Sequence, residues 1–373
     1  MLVELAFSKN ANTRNYLMKN ILLASTALVA FAGAAVAEGH AGISFTGSAD
    51  LGYNDTVAGD NNGFYSDLDL VAGFATVLDN GLTAAASLNL DNLDTGTNTE
   101  NGADYTLSLT SETAGLFYGD TKFAAETHWT SAGDMESDGF SEADGEVALR
   151  GDVKLGTVSA SVSYALADAN SNKNLIDDVT QLSIGASTDF GNVNVVLAYQ
   201  EDTLEAYAGN GDFNSSDVFG LSVGTSFAGA DVRVAYAEDN NSDSLGLKVA
   251  YPFGPVTATA YLVTESIGDD NLGINLSYSN GPVAVALDVQ DDQGVSKVGL
   301  EGSYDIGNGL MAYAGYLTQD ASDDFFYVAG SYDLGSGASL LVSYAEDDSN
   351  VEGDEIGAGE YQDGTTVEVS FQF

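Results

Sequence analysis

The chain has no cysteine among its 373 residues, only 3 prolines and 2 histidines, and a single tryptophan. Without cysteine there is neither a disulfide framework nor thiolate chemistry. His40 and His128 are too few for a histidine-based triad together with a histidine metal site. Bases are scarce as well: 10 Lys and Arg stand against 56 Asp and Glu, a formal charge of −46. So acidic a surface repels nucleic-acid phosphates and anionic membranes, which excludes nucleic acid as a partner. Acidity of this degree is common in disordered chains, but long stretches of apolar alternation argue for a folded one. Adaptation to salty water accounts for most of the excess. After residue 37 no stretch has the 18 or so apolar residues of a membrane-crossing helix.

The beginning of the chain reads as an address. Met18-Lys19-Asn20 is a short basic start, Ile21 to Phe31 an apolar run, and Ala35-Val36-Ala37 a small-residue cleavage site. This is the pattern of a secretory signal peptide, with an apolar run too short to span a bilayer comfortably. Met18 is therefore read as the true start, 1–37 as an upstream extension plus signal peptide cut after Ala37, and 38–373 as one domain. Cleavage removes Glu4, Lys9, Arg14 and Lys19 and leaves 7 bases against 55 acids, a charge of −48.

What the chain has in abundance is glycine (43), tyrosine (19) and phenylalanine (17), a mixture that suits strands and tight turns. Phe326, Val328, Gly330 and Tyr332 share one face of a strand, and Tyr327, Ala329 and Ser331 the other. Asp333-Leu334-Gly335-Ser336-Gly337 supplies a turn. Ala338, Leu340, Val342 and Tyr344 alternate back. Comparable hairpins recur from Ile43 to the end, and the pattern counts up to 20 strands, an even number between 16 and 20. Short turns such as Asp79-Asn80-Gly81 and Asn280-Gly281-Pro282 alternate with longer acidic connections at Asp91–Asp104, Asp168–Asp178, Glu201–Asp217, Asp239–Asp243 and Glu346–Gly364. Short turns at one end and long loops at the other are the habit of transmembrane barrels. The expected fold is an all-β transmembrane antiparallel barrel.

Charge placement fits. A Lys or Arg facing lipid near the midplane costs about 2–4 kcal/mol. Arg150, Arg233, Lys248 and Lys297 all fall on the polar face, as do Asp50, Asp69, Asp152, Asp231, Asp288, Glu301 and Glu368; no strand charge is expected in the apolar register. A soluble sandwich would show the same phase with its apolar face inward, so other signals must be added. Tyr164, Tyr199, Tyr236 and Tyr344 precede long loops, and Tyr251, Tyr278, Tyr304 and Tyr332 precede short turns. These form two belts, as at membrane–water boundaries, although ordinary β-propensity would also place tyrosines in strands.

Gly115-Leu116-Phe117-Tyr118-Gly119-Asp120, the unpatterned stretch that follows it, and the terminal Phe371 and Phe373 in step with Val367 and Val369 resemble the trimeric general porins of Gram-negative outer membranes, in their alphaproteobacterial form. The resemblance covers essentially the whole of 38–373. It implies a water-filled channel for passive diffusion of small hydrophilic solutes and ions, narrowed by a third loop that folds inward. That loop would span about Asp120–Glu146 and carry Asp120, Glu126, Asp134, Glu136, Asp138, Glu142 and Asp144. By the same resemblance its acids face the wall bases Arg150, Arg233, Lys248 and Lys297, and Phe373 and Phe371 are the signal read by the barrel assembly machinery. A homotrimer embedded in outer-membrane lipid and lipopolysaccharide is implied too. Family barrels mostly have 16 strands, a dense arginine cluster and, in some relatives, a Pro-Glu-Phe-Gly-Gly motif; the cluster and the motif are absent here. Rings of acids in a pore attract cations, so cation preference is expected. A substrate-specific channel on the same fold, a non-conducting barrel serving adhesion or structure, and a soluble secreted β protein are the alternatives.

Other chemistry is discounted. Gly220-Leu221-Ser222-Val223-Gly224 matches G-x-S-x-G, but a nucleophile elbow needs a strand, a sharp turn and a helix, and this run lies mid-strand. Asp94-Thr95-Gly96 has no second copy to form a carboxylate pair. No enzyme is expected, and no cofactor. Asp168–Asn172, Asp239–Asp243 and Asp347–Glu355 offer oxygens that suit calcium; they are read as solvated acidic loops, with room for weak calcium bridging.

Overall fold

The structure, a computed structural model, describes residues 42–56, 63–90, 105–141, 147–167, 178–203, 216–320, 324–346 and 361–373. The expected signal segment, His40, Glu142, Asp144 and most of the long acidic connections lie outside these residues. Among the described residues the chain runs through twenty strands. They are β1 (Gly42–Asn54), β2 (Phe64–Val77), β3 (Thr83–Leu90), β4 (Tyr105–Thr110), β5 (Ala114–Asp120), β6 (Val147–Leu155) and β7 (Val158–Ala167). Then follow β8 (Asp178–Phe190), β9 (Val193–Gln200), β10 (Val218–Phe227), β11 (Ala230–Asp239), β12 (Ser242–Phe253), β13 (Val256–Glu265) and β14 (Asn271–Asn280). The last six are β15 (Val283–Asp292), β16 (Val295–Gly307), β17 (Leu310–Gln319), β18 (Phe325–Gly335), β19 (Ala338–Glu346) and β20 (Gly364–Gln372). One short helix, α1 (Ala124–His128), lies between β5 and β6.

Each strand pairs antiparallel with the next, and β1 pairs with β20, so the sheet closes on itself. Phe373 completes the seam: its carbonyl accepts from the Gly47 amide at 2.8 Å and its amide donates to the Gly47 carbonyl at 3.0 Å. Closure leaves no unpaired edge, the condition a sheet must meet in hydrocarbon. The strand number is the upper one that alternation counts, not the 16 usual in the resembling family.

The short turns explain themselves locally. In Asp333–Gly337 the Asp333 carboxylate accepts from the Gly335 amide at 2.7 Å, and Gly335, Ser336 and Gly337 all take positive φ. Asp305–Gly309 repeats the device, with Gly307 donating to Asp305 at 2.8 Å. Both turns carry a register shift after the aspartate, which lets a compact loop close a strongly twisted pair.

The apolar set points outward. Leu247, Val285, Leu300 and Val342, on four separate strands, are 45%, 37%, 49% and 46% exposed, whereas Ser163, Ser183 and Ser222 of the opposite register are fully buried. A soluble barrel would reverse this order. Leu155, Phe190 and Phe227 are exposed at the short-turn rim, and all eight belt tyrosines lie in the outward register.

Two expectations are corrected. The Asp239–Asp243 connection is a two-residue turn, not a long loop: Asp239 accepts from the Ser242 hydroxyl at 2.8 Å, and Asp243 already lies in β12. Acids also occur in the outward register after all. Glu238, Asp243, Asp291 and Glu346 sit there, each within two residues of the long-loop end of its strand. Tyr236 donates to Glu238 at 2.9 Å and Tyr344 to Glu346 at 3.4 Å. These carboxylates stand beyond the apolar band, where the depth-dependent cost of charge falls toward zero.

Candidate functional site

The inner face is where the structure departs from a plain cylinder. Between β5 and β6 the chain turns inward and lies against the lumen wall. Gly119 makes the entry: its φ is +113°, and a Cβ there would collide with the Tyr105 carbonyl. From there the described part of the loop, 121–141, follows the wall from β6 to β14.

Its first anchor is Arg150 on β6. The guanidinium donates to the Lys122 carbonyl at 2.7 Å, to Thr127 at 3.2 Å and to Asp152 at 3.0 Å, and lies 4.7 Å above the Phe117 ring. A five-residue helix leaves its first amides without internal partners, and wall serines supply them. The Ala124 amide donates to Ser163 and the Ala125 amide to Ser183, both at 2.8 Å. His128 bridges Ser161 (2.8 Å) and Ser187 (3.2 Å). Burial pushes its imidazole below the usual value; Asp152 opposes that shift and Arg150 reinforces it.

Further along, the Ser137 amide donates to Ser244 at 2.9 Å, the Glu136 amide to Glu265 at 3.0 Å, and the Ser141 amide to Gln200 at 2.8 Å. Asn271 donates to the Asp134 carbonyl at 3.0 Å. Apolar side chains complete the seat. Phe123 packs with Ala148 and Ala165; Ala125 and Phe140 with Ala198 and Val218; Ala132 and Met135 with Ala235, Ala237 and Val263. Space is made by inward glycines: a Cβ on Gly185, Gly220 or Gly246 would lie 2.1 Å from the Ala124 carbonyl oxygen, 2.4 Å from the Trp129 ring and 2.3 Å from the Ala132 carbonyl oxygen.

The expected loop acids go to different places. Asp120 ends β5, its carbonyl accepting from Thr106 at 2.6 Å. Glu126 pairs with Lys122 of its own helix turn at 2.6 Å. Asp138 accepts from the Trp129 indole at 2.9 Å. Asp134 and Glu136 meet the wall: one carboxylate oxygen of each and one of Asp292 lie within 4.8 Å of one another, and Asp292 holds Lys297 at 2.7 Å. Lys297 is 3% exposed. Arg150 thus holds the start of the loop, while Lys297 is bound to Asp292 beside its Asp134–Glu136 stretch. Arg233 and Lys248 lie between them and are direct cross-strand partners on β11 and β12.

The wall serines, Gln200, Glu265, Asn271 and the seat glycines were not singled out by sequence reasoning. Their signal is a run of small or hydrogen-bonding residues in the polar register of β7 to β14 near the long-loop end. The same applies to a second lumen patch on β17 to β19, where Tyr313, Leu317, Phe325, Tyr327 and Ala345 gather with Tyr361. Tyr327 and Tyr361 rings stand 4.6 Å apart, and burial, with Tyr313 and Glu301 nearby, pushes the Tyr361 phenol up to about 12.

Chemically, this is a passage and not a reaction centre. Ser222, the serine of G-x-S-x-G, accepts from Arg233 at 2.7 Å, while Gly220 makes room for Trp129 and Gly224 for the guanidinium.

Comparison with known proteins agrees. The sequence family described as Gram-negative porin matches residues 24–352. The porin of Rhodobacter capsulatus is 25% identical over 298 residues, which cover 74% of this chain and 94% of that protein. Among solved structures, a double mutant of Rh. blastica porin aligns with a TM-score of 0.44 at 15% identity, over 89% of this chain and all of the other. A triple mutant of that porin aligns with the same TM-score at 14% identity, again over 89% and 100% of the two chains.

Proposed function

From the premise that this chain belongs to the Gram-negative porin family, whose members are outer-membrane channels and not enzymes, we propose that it passes small hydrophilic solutes by passive diffusion, with a preference for cations. The observation that carries this is the inversion of polarity: leucines and valines face out, while hydroxyls, amides and carboxylates face a lumen narrowed by a sewn-in loop. Sieving follows from the loop's position and selection from the charge around it.

Cation preference rests on Asp50, Asp69, Asp288, Glu301 and Glu368, all in the inward register of β1, β2, β15, β16 and β20. Of the inward bases, Arg150 and Lys297 are bound to acids. Fixed carboxylates raise the local cation concentration. The mature chain reconstituted in planar bilayers under a KCl gradient is expected to give a reversal potential of the cation-selective sign; the opposite sign ends this proposal. No cofactor enters the reading. Assembly as a homotrimer, with lipopolysaccharide and the barrel assembly machinery as partners, completes it. The outward alanines Ala84, Ala86, Ala258 and Ala260 offer close-packing surface for a neighbouring copy, and cross-linking in detergent tests for three subunits.

A further inference from the structure

Beneath the start of the third loop, on its short-turn side, the lumen wall holds a cavity of about 290 Å³, close to the lower bound of about 300–1,000 Å³ for small-molecule pockets. Strands β4 to β7 make its floor, and Thr127 and His128 of α1 roof it. Thr110, Gly115, Asp152 and Ser161 form one cross-strand row of that floor. One inward step toward the long loops stand Phe117 and Arg150, and one step toward the short turns stand Lys154 and Ser159. Gly115 lets the Phe117 ring lie down as a side wall, since a Cβ there would be 2.6 Å from the ring. The roof is fixed by His128, whose ring nitrogens meet Ser161 at 2.8 Å and Ser187 at 3.2 Å.

The charged groups lining the cavity are of both signs and are not joined to one another. Arg150, beside the Phe117 ring, is occupied by the Lys122 carbonyl, Thr127 and one carboxylate oxygen of Asp152, the last at 3.0 Å. The second Asp152 oxygen accepts no hydrogen bond among the described residues. Lys154 is exposed to the lumen, and its ammonium makes no hydrogen bond or ion pair among the described residues. The same holds for the carboxylate of Glu112, exposed in the β4–β5 turn. A solute with one negative charge would gain Lys154 but face Asp152 and Glu112. One with a single positive charge would face Lys154 and Arg150. Only a solute bearing both charges gains from both sides. Asp152 and Lys154 are alternate residues of β6, about 6.6 Å apart along the strand, and the lysine stem is flexible. Two opposite charges carried close together can therefore bridge them.

We propose that this cavity is a station for small zwitterions of the α-amino-acid class, with Lys154 holding the carboxylate and the second oxygen of Asp152 the ammonium. Both contacts are charge-assisted hydrogen bonds, the stronger kind, and the Glu112 carboxylate adds to the attraction for the ammonium. Asp152 and Lys154 lie one and two inward steps below Arg150, which holds the start of the loop, so a solute that has cleared the loop meets them before the short-turn mouth. A net-neutral solute also escapes the repulsion that an acidic lumen exerts on plain anions. This rests on the channel reading above and names a solute class for it.

The test is saturation-transfer NMR of the detergent-solubilised mature protein with L-alanine as the probe, beside propionate and ethylammonium, which each carry one of its two charges. Alanine is expected to bind saturably, and each single-charge analogue about tenfold more weakly, the loss of one charge-assisted hydrogen bond. Propionate or ethylammonium binding as tightly as alanine overturns the site. Lys154→Gln is expected to raise the alanine Kd about tenfold, while Lys154→Arg keeps the affinity. Asp152→Asn, which retains an oxygen for Arg150, is expected to weaken alanine to a similar degree. Alanine binding that survives unchanged in both Lys154→Gln and Asp152→Asn overturns the site. Swelling of proteoliposomes in alanine reads passage separately. Binding that is lost in Lys154→Gln supports the site even in a barrel that admits no alanine, which would end only the channel reading. Passage without saturable binding overturns the site and leaves the channel reading in place.

Discussion

At the scale of single residues, the lumen is built from what side chains omit. Gly246 and Gly220 have no Cβ because a loop backbone or a tryptophan ring occupies that space. Gly246→Val is expected to lift Ala132 off the wall and change single-channel conductance at least about twofold, while the barrel still resists SDS when unheated. Unchanged conductance would mean that the loop is not seated there. His128 adds a dependence on pH. Its imidazole lies below the usual value mainly through burial. For a base with a depressed folded pKa, the neutral form stabilises the folded arrangement. That contribution is complete above the unfolded value of about 6.5 and is lost as pH falls through it. Acidification from about pH 7 to pH 5 is therefore expected to loosen α1, seen as faster protease cleavage in 121–141, and His128→Gln is expected to flatten that dependence. The ring faces Ser161, Ser187 and Gly185 from β7 and β8, with Arg150 and Asp152 on β6 as its charged neighbours.

At the scale of elements, strands and loop obey different rules. A strand here needs only alternation and a turn, so β16 to β19 are legible from Val298-x-Leu300-x-Gly302-x-Tyr304 onward. The third loop has no period and is held by partners distant in sequence: Ala125 by Ser183, Ser137 by Ser244, Glu136 by Glu265. Removing one strong partner tests this. Arg150→Met strips hydrogen bonds from the Lys122 carbonyl and Thr127, a cost of about 1–3 kcal/mol for each polar group left buried. The expected outcome is protease-sensitive loop 121–141 within a barrel of normal secondary structure by circular dichroism. The closing strand is a second element-scale case. Phe373 joins Gly47 through two backbone hydrogen bonds, so deleting it is expected to lower the folded, heat-modifiable fraction severalfold on refolding into lipid. Gly119 and the wall serines show why the loop's course was not readable: each is ordinary in a polar register until the facing atom is known.

At the scale of the whole molecule, the governing term is the solvent on each side of a single-layered sheet. A mean hydropathy of −0.01 looks unremarkable because an apolar exterior and an acidic interior average out. Leu300→Arg, on the lipid face of β16, is expected to destabilise the barrel by about 2–4 kcal/mol in urea titrations from lipid vesicles. Thr259→Arg, on the partly exposed lumen face of β13, is expected to alter conductance with a smaller loss of stability. Equal losses would contradict the inverted arrangement. The acids at the outward long-loop rim fit the same picture, since they lie past the apolar band, and belt tyrosines bond two of them, Glu238 and Glu346.

The sequence by itself determined the alternation, the turn chemistry, the number of strands at the top of its expected range, and the face on which strand bases fall. Those are consequences of a two-residue period and of local hydrogen bonds such as Gly335 to Asp333. It also carried the resemblance that placed a constriction between β5 and β6. Only tertiary structure decided which side of the sheet is wet, because an apolar face has the same phase whether it meets lipid or a core. The close of the sheet through Gly47 and Phe373, the pairing of Arg233 with Lys248, and the seat of the loop on wall serines and glycines were likewise decided in three dimensions. Each joins residues through space whose identities in sequence carry no mark of one another.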